Sequence, residues 1–168
     1  MKNITLIGMS GCGKTVVGQR VSELLNMNFF DADAEIEREQ GVKISEIFEK
    51  FGETEFRRLE REKTAELSQL ENVVISTGGG VVLFDENIKN LKRNSLIVFL
   101  DRSVDDILAT LDNSNRPLLK DVSRVQKLYD DRIELYQKYA DVTVKNVGSI
   151  EDVAGEICRY SGDISKQK

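Results

Sequence analysis

Short, mostly apolar segments alternate with amphipathic segments along the chain. The apolar segments are four to six residues long, a length typical of buried strands in a parallel sheet. They are Ile4–Ile7, Asn28–Asp31, Val73–Ser76, Leu96–Asp101 and Val142–Lys145. Strands that alternate with helices are typical of βαβ units. The pattern therefore predicts an α/β fold with a parallel sheet.

Apolar residues at helical spacing predict several of the intervening helices. Their predicted buried faces are Val17, Val21, Leu24 and Leu25; Ile44, Ile47, Phe48 and Phe51; Val104, Ile107, Leu108 and Leu111; and Ile150, Val153, Ala154 and Ile157. Ser103 with Asp106, and Ser149 with Asp152, have the spacing of a capping box and predict where the last two helices begin.

A glycine-rich segment between the first strand and the first helix matches a phosphate-binding pattern. It reads Gly8, Met9, Ser10, Gly11, Cys12, Gly13, Lys14 and Thr15, which fills every fixed position of G-x-x-x-x-G-K-[ST]. Such a loop points backbone N–H groups at a phosphate, and the helix adds its positive N-terminal end. We expect Lys14 to reach the β- and γ-phosphates and Thr15 to ligate Mg²⁺. The segment predicts binding of ATP or GTP.

Composition narrows the class of protein. At 168 residues with a net charge of −5, we expect one domain, over residues 1–168, with no broad basic face for nucleic acid. No apolar run approaches the ~20 residues of a membrane span or resembles a signal peptide, so we predict a cytoplasmic protein without a membrane partner.

The two cysteines form no disulfide framework. Because histidine is absent, a general base must be a carboxylate, lysine or tyrosine.

Acidic residues end two of the predicted strands. Asp31 ends the second strand, with Asp33 just after it, and Asp101 ends the fourth. In open α/β folds, ligands bind beyond the carboxyl ends of the strands, where carboxylates can hold Mg²⁺ or deprotonate an acceptor hydroxyl. The residues by themselves leave Asp31 and Asp101 as alternatives for the Mg²⁺ carboxylate.

Glycines and arginines supply a second group of candidate binding residues. Gly78, Gly79 and Gly80 follow the Val73–Ser76 strand, where a backbone without side chains can approach a ligand closely. Arg132 lies on an otherwise apolar helical stripe, and Arg57 has Glu60 three residues later. An arginine in such a stripe usually has a fixed anionic partner, either a protein carboxylate or a ligand.

A polar, turn-rich loop is a candidate cover for the phosphates. Residues 112–117 include Arg116 and Pro117, the only proline of the chain. A mobile loop that carries arginine can exclude water from a phosphoryl-transfer site.

Together these segments resemble those of the shikimate kinase family. The resemblance covers nearly the whole chain and rests on Gly8–Thr15, Asp31–Asp33, Phe56–Glu60, Thr77–Gly80, Arg116–Leu119, and Arg132 with Tyr136 and Ala140. It implies a three-layer αβα P-loop fold with a central five-stranded parallel sheet. A substrate-binding helical region near residues 33–61, a mobile lid near 110–123 and a frayed tail over 161–168 complete the predicted organisation.

The resemblance also implies the reaction and the role of each site residue. A monomeric enzyme would transfer the γ-phosphoryl group of ATP to the 3-hydroxyl of shikimate, in aromatic amino-acid biosynthesis. Lys14, Asp33 and Arg116 would be catalytic, and Asp33 would also bind the acceptor hydroxyl. Mg²⁺ would be held by Thr15 and Asp31, with Asp101 structural. The substrate-binding set would be Asp33, Arg57, Arg132, Gly78, Gly79 and Gly80, with Phe48, Phe56, Pro117 and Leu118 as apolar walls.

Another small-molecule kinase, such as a gluconate kinase, is the alternative. It shares the P-loop and the size of this chain, but we do not expect it to carry Arg57 with Glu60, the triple glycine and Arg132. A GTPase would need an Asn-Lys-x-Asp segment for guanine, which the sequence lacks. The sequence therefore favours the shikimate kinase interpretation.

Overall fold

The central element of the fold is a parallel sheet. The structure, a computed structural model, describes residues 2–111 and 122–165. Its strands are β1 (Asn3–Ile7), β2 (Asn28–Asp31), β3 (Val73–Ser76), β4 (Ser95–Asp101) and β5 (Val142–Lys145). Within the described residues they form one five-stranded sheet in the order β2-β3-β1-β4-β5, and every neighbouring pair is parallel. The predicted α/β fold is confirmed, with the five strands at the predicted segments.

Helices connect the strands. They are α1 (Lys14–Leu25), α2 (Ala32–Gln40), α3 (Ile44–Leu67), α4 (Asp85–Lys92), α5 (Val104–Leu111), α6 (Val122–Tyr139) and α7 (Ile150–Ser165), with a short 3₁₀ helix at Val81–Leu83. The predicted caps of α5 and α7 are confirmed, since the hydroxyls of Ser103 and Ser149 each accept a 3.1 Å hydrogen bond from the backbone N–H three residues later. In the described part of the chain, no helix is both long and apolar enough to cross a membrane.

Two separate apolar cores position the site. The larger core surrounds the sheet, whose strands β1 and β3 are buried along their whole length. A smaller core joins α2 to α3 through Ile36, Ile47, Phe56 and Leu59. The region predicted to bind substrate, residues 33–61, lies on these two helices and therefore packs around a core of its own.

Some predictions of burial were wrong. Leu24, Phe51 and Ile150 were expected on buried helical faces, but they are 45%, 64% and 45% exposed. Each lies near a helix end or interruption: Leu24 is in the last turn of α1, Ile150 begins α7, and Phe51 precedes Gly52, where α3 departs from helical geometry. The helical spacing of apolar residues continues to the end of a segment, whereas the surface of the helix that packs against the core stops earlier.

The carboxyl-terminal helix extends beyond its predicted end. The sequence predicts a frayed tail from residue 161, but α7 continues to Ser165 and the side chain of Ser161 is buried. The Ser161 hydroxyl donates a 2.8 Å hydrogen bond to the carbonyl of Cys158, so its polar group is satisfied within the helix.

Candidate active site

The P-loop forms between β1 and α1, as its sequence pattern predicts. Gly13 has a φ of 98°, a conformation that favours glycine, and α1 starts at the next residue. The Lys14 ammonium is buried and donates 2.8 Å hydrogen bonds to the carbonyls of Gly8 and Met9. Its positive charge is thereby held at the edge of the loop, where the phosphates of a nucleotide would lie.

A side chain that follows the edge strand β5 also holds this loop. Asn146, just after β5, donates from Nδ2 to the carbonyl of Cys12 at 2.7 Å. Its Nδ2 also lies 2.6 Å from the position that a Cβ on Gly13 would occupy. Sequence reasoning missed this contact, because a single asparagine after a strand carries no signal of a partner 134 residues away.

Thr15 and Asp31 form the pair predicted for the metal. The Thr15 hydroxyl donates a 2.6 Å hydrogen bond to Oδ2 of Asp31, whereas Oδ1 of Asp31 accepts from the N–H groups of Asp33 and Ala34. Asp101 instead accepts a 3.3 Å hydrogen bond from the Tyr129 hydroxyl. Of the two carboxylates that the sequence left open, Asp31 is therefore the one in contact with the P-loop threonine.

The oxygen atoms of Thr15 and Asp31 fit a hard cation whose remaining ligands are water and substrate. In the described ranges, no group of three or more histidine, cysteine, aspartate or glutamate residues is arranged to hold a metal. One carboxylate and one hydroxyl beside a P-loop suit Mg²⁺, because this ion usually keeps several waters and binds substrate phosphates. Thr15 and Asp31 are thus suitable protein ligands for a Mg²⁺–nucleotide complex.

Asp33 lies in the first turn of α2, just past the carboxyl end of β2. Its Oδ1 atom is buried and has no hydrogen-bond partner among the described residues. The pKa of this carboxyl is raised to about 6, mainly by burial and then by the nearby charges of Glu60 and Asp31, while Lys14 and Arg57 oppose the shift. A carboxylate whose pKa lies close to neutrality is well suited to accept a proton.

Arg57 and Glu60 form a buried ion pair on α3. Nη1 of Arg57 donates to Oε1 of Glu60 at 2.8 Å, and Glu53 accepts longer hydrogen bonds of 3.3 Å from the same guanidinium. The predicted pairing of Arg57 with Glu60 at i+3 is therefore present. Oε2 of Glu60 is buried without a partner among the described residues, and burial raises the pKa of Glu60 despite the opposing charge of Arg57.

The triple glycine lies where these side chains meet. A Cβ on Gly78 would lie 2.8 Å from Asp33, and one on Gly79 would lie 2.8 Å from the Ser10 hydroxyl of the P-loop. A Cβ on Gly80 would overlap the Arg57 guanidinium. A side chain at any of the three positions would therefore collide with a candidate site residue, which explains the run of glycines better than a flexible turn does.

The backbone of this segment is also available for binding. The residues Gly78–Gly80 are buried, yet their N–H groups donate to no acceptor within the described part of the chain. Buried N–H groups are nearly always hydrogen-bonded in folded proteins. Adjacent free N–H groups of this kind can donate to an anionic or hydroxyl-bearing ligand.

Arg132 approaches the same segment from α6. Its Nη1 atom lies 3.5 Å from the position of a Cβ on Gly79. Arg57 and Arg132, which are 75 residues apart in the sequence, thus border neighbouring glycines. The two arginines singled out by the sequence are brought to one place, as expected of residues that share a ligand.

Phe48 and Phe56 lie beside this site. Their ring centroids are 4.7 Å apart, and the Arg57 guanidinium lies 5.1 Å from the centroid of the Phe56 ring. Phe56 belongs to the small core between α2 and α3, whereas Phe48 is half-buried against that core. The three remaining predicted site residues, Arg116, Pro117 and Leu118, lie outside the described residues, as does most of the predicted lid.

The fold and site define a class of protein. A P-loop follows β1 of a parallel sheet, a threonine–carboxylate pair lies beside it, and two arginines border the triple glycine after β3. This is the arrangement of a P-loop phosphotransferase that acts on a small molecule. Residues 10–161 match the family model described as shikimate kinase. The chain belongs to the shikimate kinase family.

Individual relatives agree with this assignment. The chain is 46% identical over 159 residues to the shikimate kinase of Clostridium botulinum (strain Eklund 17B / Type B), covering 94% of this chain and 96% of that one. Among solved structures, a shikimate kinase from Acinetobacter baumannii in complex with shikimate has a TM-score of 0.91 at 37% identity, covering 97% of this chain and 94% of that chain. The shikimate kinase from Aquifex aeolicus has a TM-score of 0.84 at 39% identity, with 96% and 98% covered.

The alternative kinase is only distantly similar. A gluconokinase from Sinorhizobium meliloti 1021 has a TM-score of 0.65 at 16% identity, covering 99% of this chain and 97% of that chain. At this identity the likeness shows a shared fold and no more.

Proposed function

We propose that this protein transfers the γ-phosphoryl group of Mg²⁺-bound ATP to the 3-hydroxyl of shikimate, giving shikimate 3-phosphate and ADP. The observation that carries the proposal is the convergence of Asp33, Arg57 and Arg132 on the triple glycine, directly against Ser10 of the P-loop. A nucleotide site and a site for a small anionic acceptor therefore share one boundary. The family assignment names shikimate as the acceptor that such a site would take.

The acceptor's carboxylate would bind between the two arginines. Planar guanidinium groups suit a carboxylate, because they can donate two parallel hydrogen bonds to it. Glu60 and Glu53 together accept three hydrogen bonds from Arg57, and two of its five N–H groups are left for a ligand. The free N–H groups of Gly78–Gly80 would add uncharged donors. Phe48, Phe56, Pro117 and Leu118 would cover the apolar ring of the substrate.

Asp33 would orient the acceptor hydroxyl and accept its proton. Among the described residues, no donor contacts Oδ1 of Asp33, so a substrate hydroxyl can satisfy it without displacing one of them. Phosphoryl transfer depends mainly on positioning and on neutralising charge in the transition state. Lys14, Arg116 and the N–H groups of the P-loop would supply that neutralisation, and proton removal by Asp33 would assist.

Thr15 and Asp31 would hold the metal of the Mg²⁺–ATP complex. Their oxygen atoms already lie 2.6 Å apart at the mouth of the P-loop. A bound Mg²⁺ supplies charge neutralisation on the phosphate oxygens. Asp31 also caps α2, so the same carboxylate fixes the helix that carries Asp33.

We further propose that the chain acts as a single-domain, cytoplasmic monomer without a nucleic-acid or membrane partner. Its net charge of −5 argues against a general affinity for nucleic acid or anionic lipid. The two apolar cores are bridged by α3, which packs against α2 and α4 and supports one folding unit.

The test is a coupled assay of ADP release with Mg²⁺–ATP, in which shikimate, gluconate, AMP and no acceptor are compared. We expect ADP release that depends on shikimate. In Asp33→Asn this release should fall by about 10²-fold or more, since general-base assistance and acceptor binding are both lost. The matched control is Glu35→Gln on the same helix, because Glu35 pairs with Arg38 at the surface.

The outcomes separate the candidate functions. Turnover with gluconate in place of shikimate would favour the alternative kinase. ATP binding without turnover on any acceptor would leave the fold unaffected and would contradict the proposed reaction.

A further inference from the structure

Tyr136 is a fully buried tyrosine whose hydroxyl reaches the triple glycine. It lies on α6 one helical turn after Arg132, is 0% exposed, and donates a 2.6 Å hydrogen bond to the carbonyl of Gly79. Its ring is stacked on Phe99 of β4, with centroids 5.1 Å apart and an angle of 19° between the planes. The hydroxyl is therefore held at one position by the packing of its ring.

The direction of this hydrogen bond determines the direction of the next N–H group. The carbonyl of Gly79 and the N–H of Gly80 belong to the same peptide unit, which is trans. In a planar trans peptide these two groups point in opposite directions. Because the carbonyl points at Tyr136, the Gly80 N–H points away from α6. The Arg57 guanidinium lies against the same residue.

Without such an anchor, the segment would have considerable freedom. A peptide unit between two glycines can rotate more easily than any other, because no Cβ restricts the flanking dihedral angles. A Cβ on Gly79 would lie 2.8 Å from the Ser10 hydroxyl of the P-loop and 3.5 Å from Nη1 of Arg132, so this peptide borders both groups. One rotated peptide would therefore disturb the acceptor site at its boundary with the nucleotide site.

Burial keeps Tyr136 in the donating form. It raises the pKa of the hydroxyl well above its ordinary value, although Arg132, which lies close enough to interact with the same oxygen, opposes the shift. The hydroxyl is therefore protonated at neutral pH. It can donate to Gly79 while its oxygen faces the Arg132 guanidinium.

We infer that Tyr136 is a positioning residue for acceptor binding: its hydroxyl orients the Gly79–Gly80 peptide so that the Gly80 N–H faces the acceptor site, and it steadies Arg132. This inference rests on the proposed function, in which Gly78–Gly80 and Arg132 bind shikimate. Tyr136 does not touch the substrate. It acts through the two groups that do.

The test compares Tyr136→Phe with Tyr139→Phe. Both tyrosines lie on α6, and the Tyr139 hydroxyl donates a 3.0 Å hydrogen bond to Asp85, outside the site. Each substitution removes one buried hydroxyl and keeps the ring. We expect Tyr136→Phe to raise the KM for shikimate about tenfold, the equivalent of one hydrogen bond, with the KM for ATP unchanged. Tyr139→Phe should leave both constants unchanged.

A purely structural role would give a different result. If Tyr136→Phe lowered activity only in proportion to the folded fraction, or raised both KM values equally, the inference would be overturned. Equal behaviour of the two variants would also overturn it. If the wild-type protein failed to phosphorylate shikimate, the proposed function itself would fail, which is a distinct outcome.

A second measurement works on the wild-type protein and does not depend on how the variant folds. In protein labelled with ¹⁵N-glycine, the amide signal of Gly80 should shift when shikimate is added, and that of Gly155 on α7 should not. An unshifted Gly80 signal at saturating shikimate would contradict the orientation inferred for this peptide.

Discussion

The carboxylates of Asp33 and Glu60 converge on Gly78 from two different helices. A Cβ at this glycine would lie 2.8 Å from Oδ1 of Asp33 and 2.9 Å from Oε2 of Glu60, and both oxygens are buried without a partner among the described residues. The nearby charge of Glu60 contributes to the raised pKa of Asp33. A ligand that donates hydrogen bonds would satisfy both carboxylate oxygens. The space beside Gly78 is therefore the best place in the described site for an acceptor hydroxyl.

Gly78→Ala tests this arrangement by adding one methyl group. The methyl would come within 3 Å of both carboxylate oxygens, so the two side chains must shift from their positions in the site. We expect a loss of stability of about 1–3 kcal/mol and at least a tenfold loss of kcat/KM for shikimate. Gly155→Ala is the control, since a Cβ there meets no atom within 4 Å and should stabilise α7 by up to about 1 kcal/mol. Equal effects of the two substitutions would contradict the account.

Asp33→Asn should change how stability depends on pH. The pKa of Asp33 is about 6 in the folded protein, above its ordinary value of 3.8. Between these values the folded state binds more protons than the unfolded state, so stability falls as pH rises from about 4 to 6, and the loss is complete above about pH 6. Asparagine cannot ionise. We expect the variant to be more stable than the wild type at pH 7.5, by about 1–3 kcal/mol, and no more stable at pH 4.

Urea unfolding in the presence of EDTA measures this difference in metal-free protein. Glu35→Gln serves as the control, because Glu35 is paired with Arg38 on the surface of the same helix. A difference in the free energy of unfolding that stays constant from pH 4 to pH 7.5 would show that Asp33 does not titrate as described.

Arg57 and Arg58 are adjacent in sequence but differ in surroundings. The Arg57 side chain is 9% exposed and pairs with the buried Glu60, whereas Arg58 is 46% exposed and pairs with Glu55 and Glu62 at the surface. Arg57→Lys keeps the charge but loses the planar fork that a carboxylate needs, so we expect the KM for shikimate to rise about tenfold or more. Arg58→Lys should leave it unchanged. Steady-state kinetics at saturating ATP would check both, and equal KM values would contradict the role given to Arg57.

Thr15→Val removes a hydroxyl and keeps the shape of the side chain. It should weaken the binding of ATP mainly when Mg²⁺ is present, because it removes both the hydrogen bond to Asp31 and a metal ligand. Calorimetric titration of ATP, with Mg²⁺ and with EDTA, would measure the contribution of the metal. Thr143→Val is the control, since Thr143 is an exposed residue of β5 outside the candidate site. A variant that retained the full effect of Mg²⁺ would rule out Thr15 as a ligand.

The parts of the fold that sequence predicted best depend on local patterns. The P-loop, the strands and the caps at Ser103 and Ser149 each arise from neighbouring residues, so their signals lie within a few positions. The capping serines show this directly, since each hydroxyl accepts from the N–H three residues later. The choice between Asp31 and Asp101 as the Mg²⁺ carboxylate cannot be made from neighbouring residues, because it depends on which strand end lies beside Thr15.

The missed features depend on contacts between distant segments. Tyr136 and Gly79 are 57 residues apart, and Asn146 and Cys12 are 134 apart. The sequence pattern around a buried tyrosine does not show whether its hydroxyl positions a binding site or only donates a hydrogen bond to a loop carbonyl. The exposure of Phe51 was also missed, because the apolar spacing carries no signal of the interruption of α3 at Gly52, the next residue.

The most direct test of the central claim is phosphorus NMR of the reaction mixture, with Mg²⁺–ATP, shikimate and wild-type protein. We predict loss of the γ-phosphate signal of ATP and the appearance of one phosphate ester, coupled to the proton on carbon 3 of shikimate. Arg132→Ala and Asp33→Asn should form this product far more slowly. If ATP yields only inorganic phosphate while shikimate stays unmodified, or if the ester forms at another hydroxyl, the assignment of Asp33, Arg57, Arg132 and the triple glycine to the acceptor would be contradicted.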